Sequence, residues 1–236
     1  MAAPRPIPAA AARAFRQRLA RWFRRHGRDL PWRRTRDPYA IVVSEAMLQQ
    51  TQVSRVLEFY PKFLGRFPTL EHLAAARPRE VRESWEGLGY YARARNLHAL
   101  AREVASTPSA ALPAEPERLR RLPGIGPYTA GAVASFAYER RAALVDTNVA
   151  RVLSRVFAPG LDPKRPRDHR RLWAIAEALL PRTGRAAWTH NQALIELGAL
   201  VCTARVRRCV VCPVREACRS CDAPQAPRRR HRRTTS

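Results

Sequence analysis

The sequence predicts an all-α protein. Apolar residues recur at three- and four-residue steps in segment after segment, no segment sustains the alternation of a half-buried strand, and proline, glycine or Ser/Thr separates the runs. Phe15, Leu19, Trp22 and Phe23 form one stripe of a helix over 9–26, and Gly27 stops it. A second helix is expected over 38–49. Val53, Val56, Leu57 and Tyr60 mark a third, which Pro61 is expected to kink or break. Helices over 70–75, 78–85 and 92–105 follow. Beyond a glycine-rich turn come 128–138, 148–157, 168–180 and 187–201. No internal repeat is present. Residues 222–236 contain Arg228-Arg229-Arg230-His231-Arg232-Arg233 with no apolar anchor, and read as a disordered basic tail.

Composition narrows the function. The 236 residues hold 44 basic and 19 acidic side chains, a net charge of +25, and 46% are hydrophobic. That content supplies a core, and the excess of cations points to a polyanionic partner, nucleic acid first. Lys62 and Lys164 are the only lysines, so an arginine-rich composition bias contributes. No apolar run approaches the roughly 20 residues of a membrane span. Residues 1–12 lack a hydrophobic signal core. The chain is therefore expected in the cytoplasm.

Leu122-Pro123-Gly124-Ile125-Gly126-Pro127-Tyr128 is a tight turn ahead of a helix. Its backbone N–H groups would make an anion site, with Gly124 and Gly126 admitting phosphate. Asp146 follows Tyr128 by 18 residues and directly precedes a helix. An N-cap would explain it, and so would a catalytic role. Glu45 lies in Tyr39-Ala40-Ile41-Val42-Val43-Ser44-Glu45-Ala46-Met47-Leu48, where a carboxylate is costly without a task or a partner. All five cysteines fall between 202 and 221. Cys202, Cys209, Cys212 and Cys218 are spaced C-x6-C-x2-C-x5-C, which suits zinc or an iron–sulfur cluster. Cys221 falls outside that pattern and is expected as a free thiol. Arg205, Arg207, Arg208, Arg215 and Arg219 lie among them, either clamping phosphate or neutralising a cluster.

The order of several blocks resembles the helix-hairpin-helix DNA glycosylase superfamily, which includes endonuclease III, and within it the MutY-type A/G-specific adenine glycosylase family. The blocks are Leu30-Pro31-Trp32-Arg33, Ser44-Glu45-Ala46-Met47-Leu48-Gln49-Gln50-Thr51-Gln52-Val53, Gly87-Leu88-Gly89-Tyr90-Tyr91-Ala92-Arg93, the glycine turn, Val145-Asp146-Thr147-Asn148-Val149 and Asn191-Gln192-Ala193-Leu194-Ile195-Glu196-Leu197-Gly198. The likeness runs from about residue 14 to residue 221.

It implies a helical barrel with the hairpin over 30–141, and an iron–sulfur subdomain from 1–29 and 142–221. The implied activity is hydrolysis of the N-glycosidic bond of adenine mispaired with 8-oxoguanine or guanine in double-stranded DNA, by a monomer. By the same resemblance Glu45 protonates the flipped adenine and Asp146 stabilises the sugar cation, while Asn148 and Tyr128 orient the two acids. Arg28, Trp32, Leu48, Val53, Gln192 and Ile195 shape the base pocket. Gln50, Leu88 and Tyr90 enter the helix the base has left, although Leu88 and Tyr90 also read as core residues beside a turn. Gly124 and Gly126 hold backbone phosphate, and Cys202, Cys209, Cys212 and Cys218 ligate a [4Fe–4S] cluster.

Relatives that also cut the backbone have a lysine where this chain has Tyr128, so a purely hydrolytic enzyme is expected. Family members carry a further C-terminal domain that reads 8-oxoguanine, which this chain is expected to lack. Thr147 stands where the family often has glycine, and could shift Asp146. The alternatives are a thymine or uracil mismatch glycosylase and a non-catalytic iron–sulfur DNA-binding module. Gln49-Gln50-Thr51-Gln52-Val53 argues against the first, and the two acids together argue against the second.

Overall fold

Proline opens helix after helix in this chain, supplying the φ of the first turn where its missing N–H costs nothing. It does so in α2 (Pro38–Leu48), α5 (Pro78–Ser84), α7 (Pro116–Leu119), α8 (Pro127–Phe136) and α10 (Pro166–Leu179). The others are α1 (Ala9–His26), α3 (Val53–Arg66), α4 (Leu70–Ala75), α6 (Ala92–Ala105), α9 (Thr147–Phe157) and α11 (Gly184–Leu200). The computed structural model describes residues 7–221. Among them there is no strand, only one isolated antiparallel bridge between Cys202 and Arg207. No described helix is long and apolar enough to cross a membrane. The expected basic tail over 222–236 lies outside the described residues.

The helical reading holds, with three differences. Pro61 does not break α3, which runs through it. The carbonyl it deprives of a donor belongs to Leu57, which is exposed and solvated. Four short elements escaped prediction, α7 and the 3-10 turns over Pro31–Arg33, Cys209–Val211 and Arg215–Ala217. None is long enough to display a period. Helix starts also lie one to three residues upstream of expectation, at Pro127, Pro166 and Gly184.

α2 is the axis of the molecule. Asp37 caps it, accepting from the N–H groups of Tyr39 (3.0 Å) and Ala40 (3.3 Å). It is buried on every side, from Tyr39 through Glu45 to Met47, as befits a helix with no polar face. It packs against α3, α6 and α8, while α11 packs against α1, α8 and α9. Buried apolar residues from both expected subdomains form one continuous cluster. Two close approaches carry the site. A Cβ on Gly131 of α8 would lie 2.1 Å from the Ala143 carbonyl oxygen, and one on Gly198 of α11 would lie 2.7 Å from Asn148 Cβ. Glycine lets backbone meet backbone at both places.

Candidate active site

Glu45, Tyr128 and Asp146 come from α2, α8 and the start of α9, and they converge. Glu45 is 5% exposed. Burial pushes its carboxyl up to about 7. Tyr128 opposes this with a hydrogen bond, the charge on Asp146 adds to it, and Arg33 opposes it. Tyr128 is itself raised well above its ordinary value, first by burial and then by the two nearby carboxylates. It therefore stays neutral and donates to Glu45.

Asp146 takes the helix-capping place its sequence context allowed. It caps α9, with Oδ1 accepting from the Val149 N–H at 2.6 Å. Its Oδ2 accepts from Asn148 Nδ2 at 2.9 Å. Burial raises its pKa, while the hydrogen bonds from Val149 and Asn148 and the charge on Arg151 oppose the rise. Thr147 takes the first position of α9 without disturbing the cap. Arg151 fixes the Asn148 amide by donating to Oδ1 at 2.6 Å, and it also donates to the carbonyls of Gly198 (2.8 Å), Cys202 (2.9 Å) and Thr147 (3.3 Å). The acid pair thus has two environments: an apolar one around Glu45 and a hydrogen-bonded one around Asp146.

Beside the acids, the 3-10 turn meets α11. Gln192 is buried, and its Oε1 accepts from Arg33 Nε at 2.8 Å. The same arginine donates from Nη2 to Glu196 (2.8 Å), and Arg28 donates to Glu196 from its backbone N–H (2.9 Å), Nε (2.8 Å) and Nη2 (3.0 Å). The Glu196 side chain is fully buried. Burial alone would raise its pKa, but these hydrogen bonds outweigh that and hold it at about 2.

Arg33 and Glu196 lay inside motif blocks but carried no assigned role. The argument that singled out Glu45, an acid within an apolar helical run, also applies to Glu196. Because the folded pKa is depressed, the stability from this ion cluster is present above pH 4.5 and lost as pH falls toward 2. Glu196→Gln should lower stability by about 3–5 kcal/mol, the cost of leaving buried charge unpaired. Urea denaturation at neutral pH reads it, and a loss below about 1 kcal/mol would mean the arginines find water instead.

The remaining expected site residues divide. Trp32 is buried edge-on to Tyr60 at 5.5 Å, and Leu48, Val53 and Ile195 are half-buried. Arg28 is committed to Glu196. Gln50 and Tyr90 are exposed, but Leu88 is not. It is 6% exposed without DNA and packs in the core, the second of the two readings its sequence context gave. Gly124 has φ +75° and lies so close to Asn96 that a Cβ would come within 2.7 Å of it. Gly126, at φ −86°, caps α8, and a Cβ there would meet nothing within 4 Å. Its open side faces outward, where another molecule can approach.

Cys202, Cys209, Cys212 and Cys218 line one small cavity. Burial and the other three thiols push Cys212 up to about 11. Among the described residues no three His, Cys, Asp or Glu side chains are drawn together as one metal ion requires. Cys221 hydrogen-bonds Cys209. Of the nearby arginines, Arg207 and Arg219 are occupied with the carbonyls of Ser220 (3.1 Å) and Phe157 (2.9 Å), while Arg205, Arg208 and Arg215 are exposed.

A helix-hairpin-helix formed by α7, the glycine turn and α8, with buried acids directly behind it, defines a DNA-repair protein. The chain belongs to the HhH-GPD superfamily of base excision DNA repair proteins, whose family model matches residues 43–177. It is 45% identical over 218 residues to the adenine DNA glycosylase of Homo sapiens, covering 88% of this chain and 39% of that protein. It is 37% identical over 207 residues to the thymine-DNA glycosylase of Aeropyrum pernix, covering 87% and 93%. Its fold matches the structure of a thermostable thymine-DNA glycosylase with a TM-score of 0.81 at 30% identity, over 89% of this chain and 96% of that one. The chain spans about two fifths of the length of the mammalian adenine glycosylases it matches.

Proposed function

We propose that this chain is a base-excision DNA glycosylase that hydrolyses the N-glycosidic bond of adenine mispaired with guanine or 8-oxoguanine and leaves the backbone uncut. The observation that carries this reading is the pair of acids in opposed environments. A leaving adenine must accept a proton, and Glu45, held near pH 7 by burial, has one to give. The sugar becomes cationic as the bond breaks, and the hydrogen-bonded carboxylate of Asp146 stabilises that charge or bonds it transiently. Water then adds to the sugar carbon, and the proton it sheds returns the acid pair to its starting state. Tyr128 and Asn148 keep the acids in place.

Double-stranded DNA is the partner. The turn at Gly124 and Gly126 receives phosphate, and the exposed Gln50 and Tyr90 fill the space the base vacates. The protein acts as a monomer in the cytoplasm. Cys202, Cys209, Cys212 and Cys218 would hold a [4Fe–4S] cluster that pins the loop carrying Arg205, Arg208 and Arg215. The shared cavity and the spacing support that assignment.

The thymine reading draws on the Aeropyrum relative and the structural match. Higher identity to the adenine enzyme and the buried acid Glu45 favour adenine. Single-turnover base release, revealed by hot alkali, decides between them on duplexes carrying A opposite 8-oxoguanine, A opposite G, T opposite G and U opposite G. Adenine release is expected. Release of only T or U supports the second reading, and no release from any duplex overturns both.

A further inference from the structure

Arg93, at the start of α6, is 8% exposed, yet all the hydrogen-bond acceptors of its guanidinium are uncharged. Nη1 donates to the carbonyls of Ala46 (3.0 Å), Met47 (2.7 Å) and Gln49 (2.6 Å) and to Thr51 Oγ1 (3.0 Å). Nη2 donates to the carbonyls of Leu88 (3.1 Å) and Gly89 (3.0 Å), and Nε to that of Tyr90 (3.4 Å). The rings of Trp85 and Tyr90 lie 5.5 and 5.4 Å from its centre. One cation therefore satisfies the orphan carbonyls at the end of α2 and ties them to the turn before α6.

Each tied segment holds a non-glycine residue in the left-handed region, Gln50 at φ 57° and Tyr90 at φ 48°. Such residues stay there only when their surroundings impose it. Arg93 supplies that surrounding in both cases, gripping Gln49 and Thr51 on either side of Gln50, and the carbonyls of Leu88, Gly89 and Tyr90 itself. Both held side chains face solvent, with Tyr90 59% exposed.

We propose that Arg93 is a positioning residue that presets Gln50 and Tyr90 as a pair of probes at fixed spacing before DNA arrives. This rests on the functional reading above, in which those two residues replace an extruded base. Unstacking a base is costly, and probes already ordered spend no binding energy on their own ordering. Arg93 touches neither the base nor the breaking bond, and acts through the two segments it joins.

Arg93→Lys tests this. Lysine keeps the charge, but its donors radiate from one point and can serve one segment, not both. In the free protein, amide hydrogen exchange should quicken at 49–51 and 88–91 and stay unchanged elsewhere. Unchanged protection at those amides overturns the proposal. On DNA, single-turnover adenine release from an A:G duplex should fall on the order of 100-fold, the scale of a small misplacement. Most of that loss should be recovered with the adenine opposite an abasic gap, where it is already unstacked. Equal loss on both substrates with a lowered melting temperature means a general structural role and overturns it. If the wild-type chain releases no base from either substrate, the functional reading has failed, and the exchange experiment alone decides whether Arg93 holds the two segments.

Discussion

Glu45→Gln will slow base release by about 10²–10⁴-fold and, at pH 8, leave a more stable protein. The first effect follows from removing a general acid. The second follows from the same burial that makes the acid useful. Glu45 titrates at about 7 in the folded chain against an ordinary value of 4.5. Between those values the folded chain keeps a proton that the unfolded chain has lost, so stability declines as pH rises through that window. Above pH 7 the loss amounts to about 3 kcal/mol at 1.36 kcal/mol per unit. Glutamine does not titrate and escapes it. Urea denaturation at pH 4.5 and pH 8 should show the advantage of the variant appearing only at the higher pH. An advantage equal at both values would remove Glu45 as a buried acid. Base release by the wild-type chain should decline as pH rises past 7, for the same reason.

Asp146→Asn separates chemistry from architecture. Asparagine caps a helix about as well as aspartate, so α9 keeps its start and the Val149 contact. Only the Asn148 contact is mismatched, at about 1 kcal/mol. The charge facing the sugar cation is gone. Release of adenine should fall on the order of 10³-fold, a loss typical of removing one preorganised electrostatic contact. Affinity for a duplex bearing an abasic analogue should persist. Anisotropy titration and single-turnover kinetics on one preparation read both. Near-normal release by the variant would sink the role assigned to Asp146, and lost binding would make it a structural cap alone.

These two acids were legible in the sequence because each contradicts its neighbours: one sits in an otherwise apolar helix, and one stands just before a helix start. The long helices were legible for the complementary reason, that burial of one face writes a period. Arg33, Arg93 and Arg151 were not, although each fixes part of the site. Each joins a near neighbour to a partner far along the chain, Arg33 and Glu196 being 163 residues apart. In a chain so rich in arginine no single one stands out. Many of the acceptors of Arg93 and Arg151 are backbone carbonyls, which every residue carries. Leu88 illustrates the opposite difficulty. A leucine between two glycines reads equally well as a wedge or as core, and only packing decides.

The close contact between Gly131 and Ala143 gives the site a property that its acids alone do not have. Asp146 hangs on the segment that Gly131 admits against α8, three residues beyond the contact, while Tyr128 stands on α8 itself. The spacing between Tyr128 and Asp146 is thus a clearance between two pieces of main chain, set by a missing methyl group. Any side chain at 131 would act as a shim, lifting the Asp146 carboxylate away from the Tyr128 hydroxyl without touching DNA, base or proton. Catalysis in this fold depends on a tolerance as much as on a reagent.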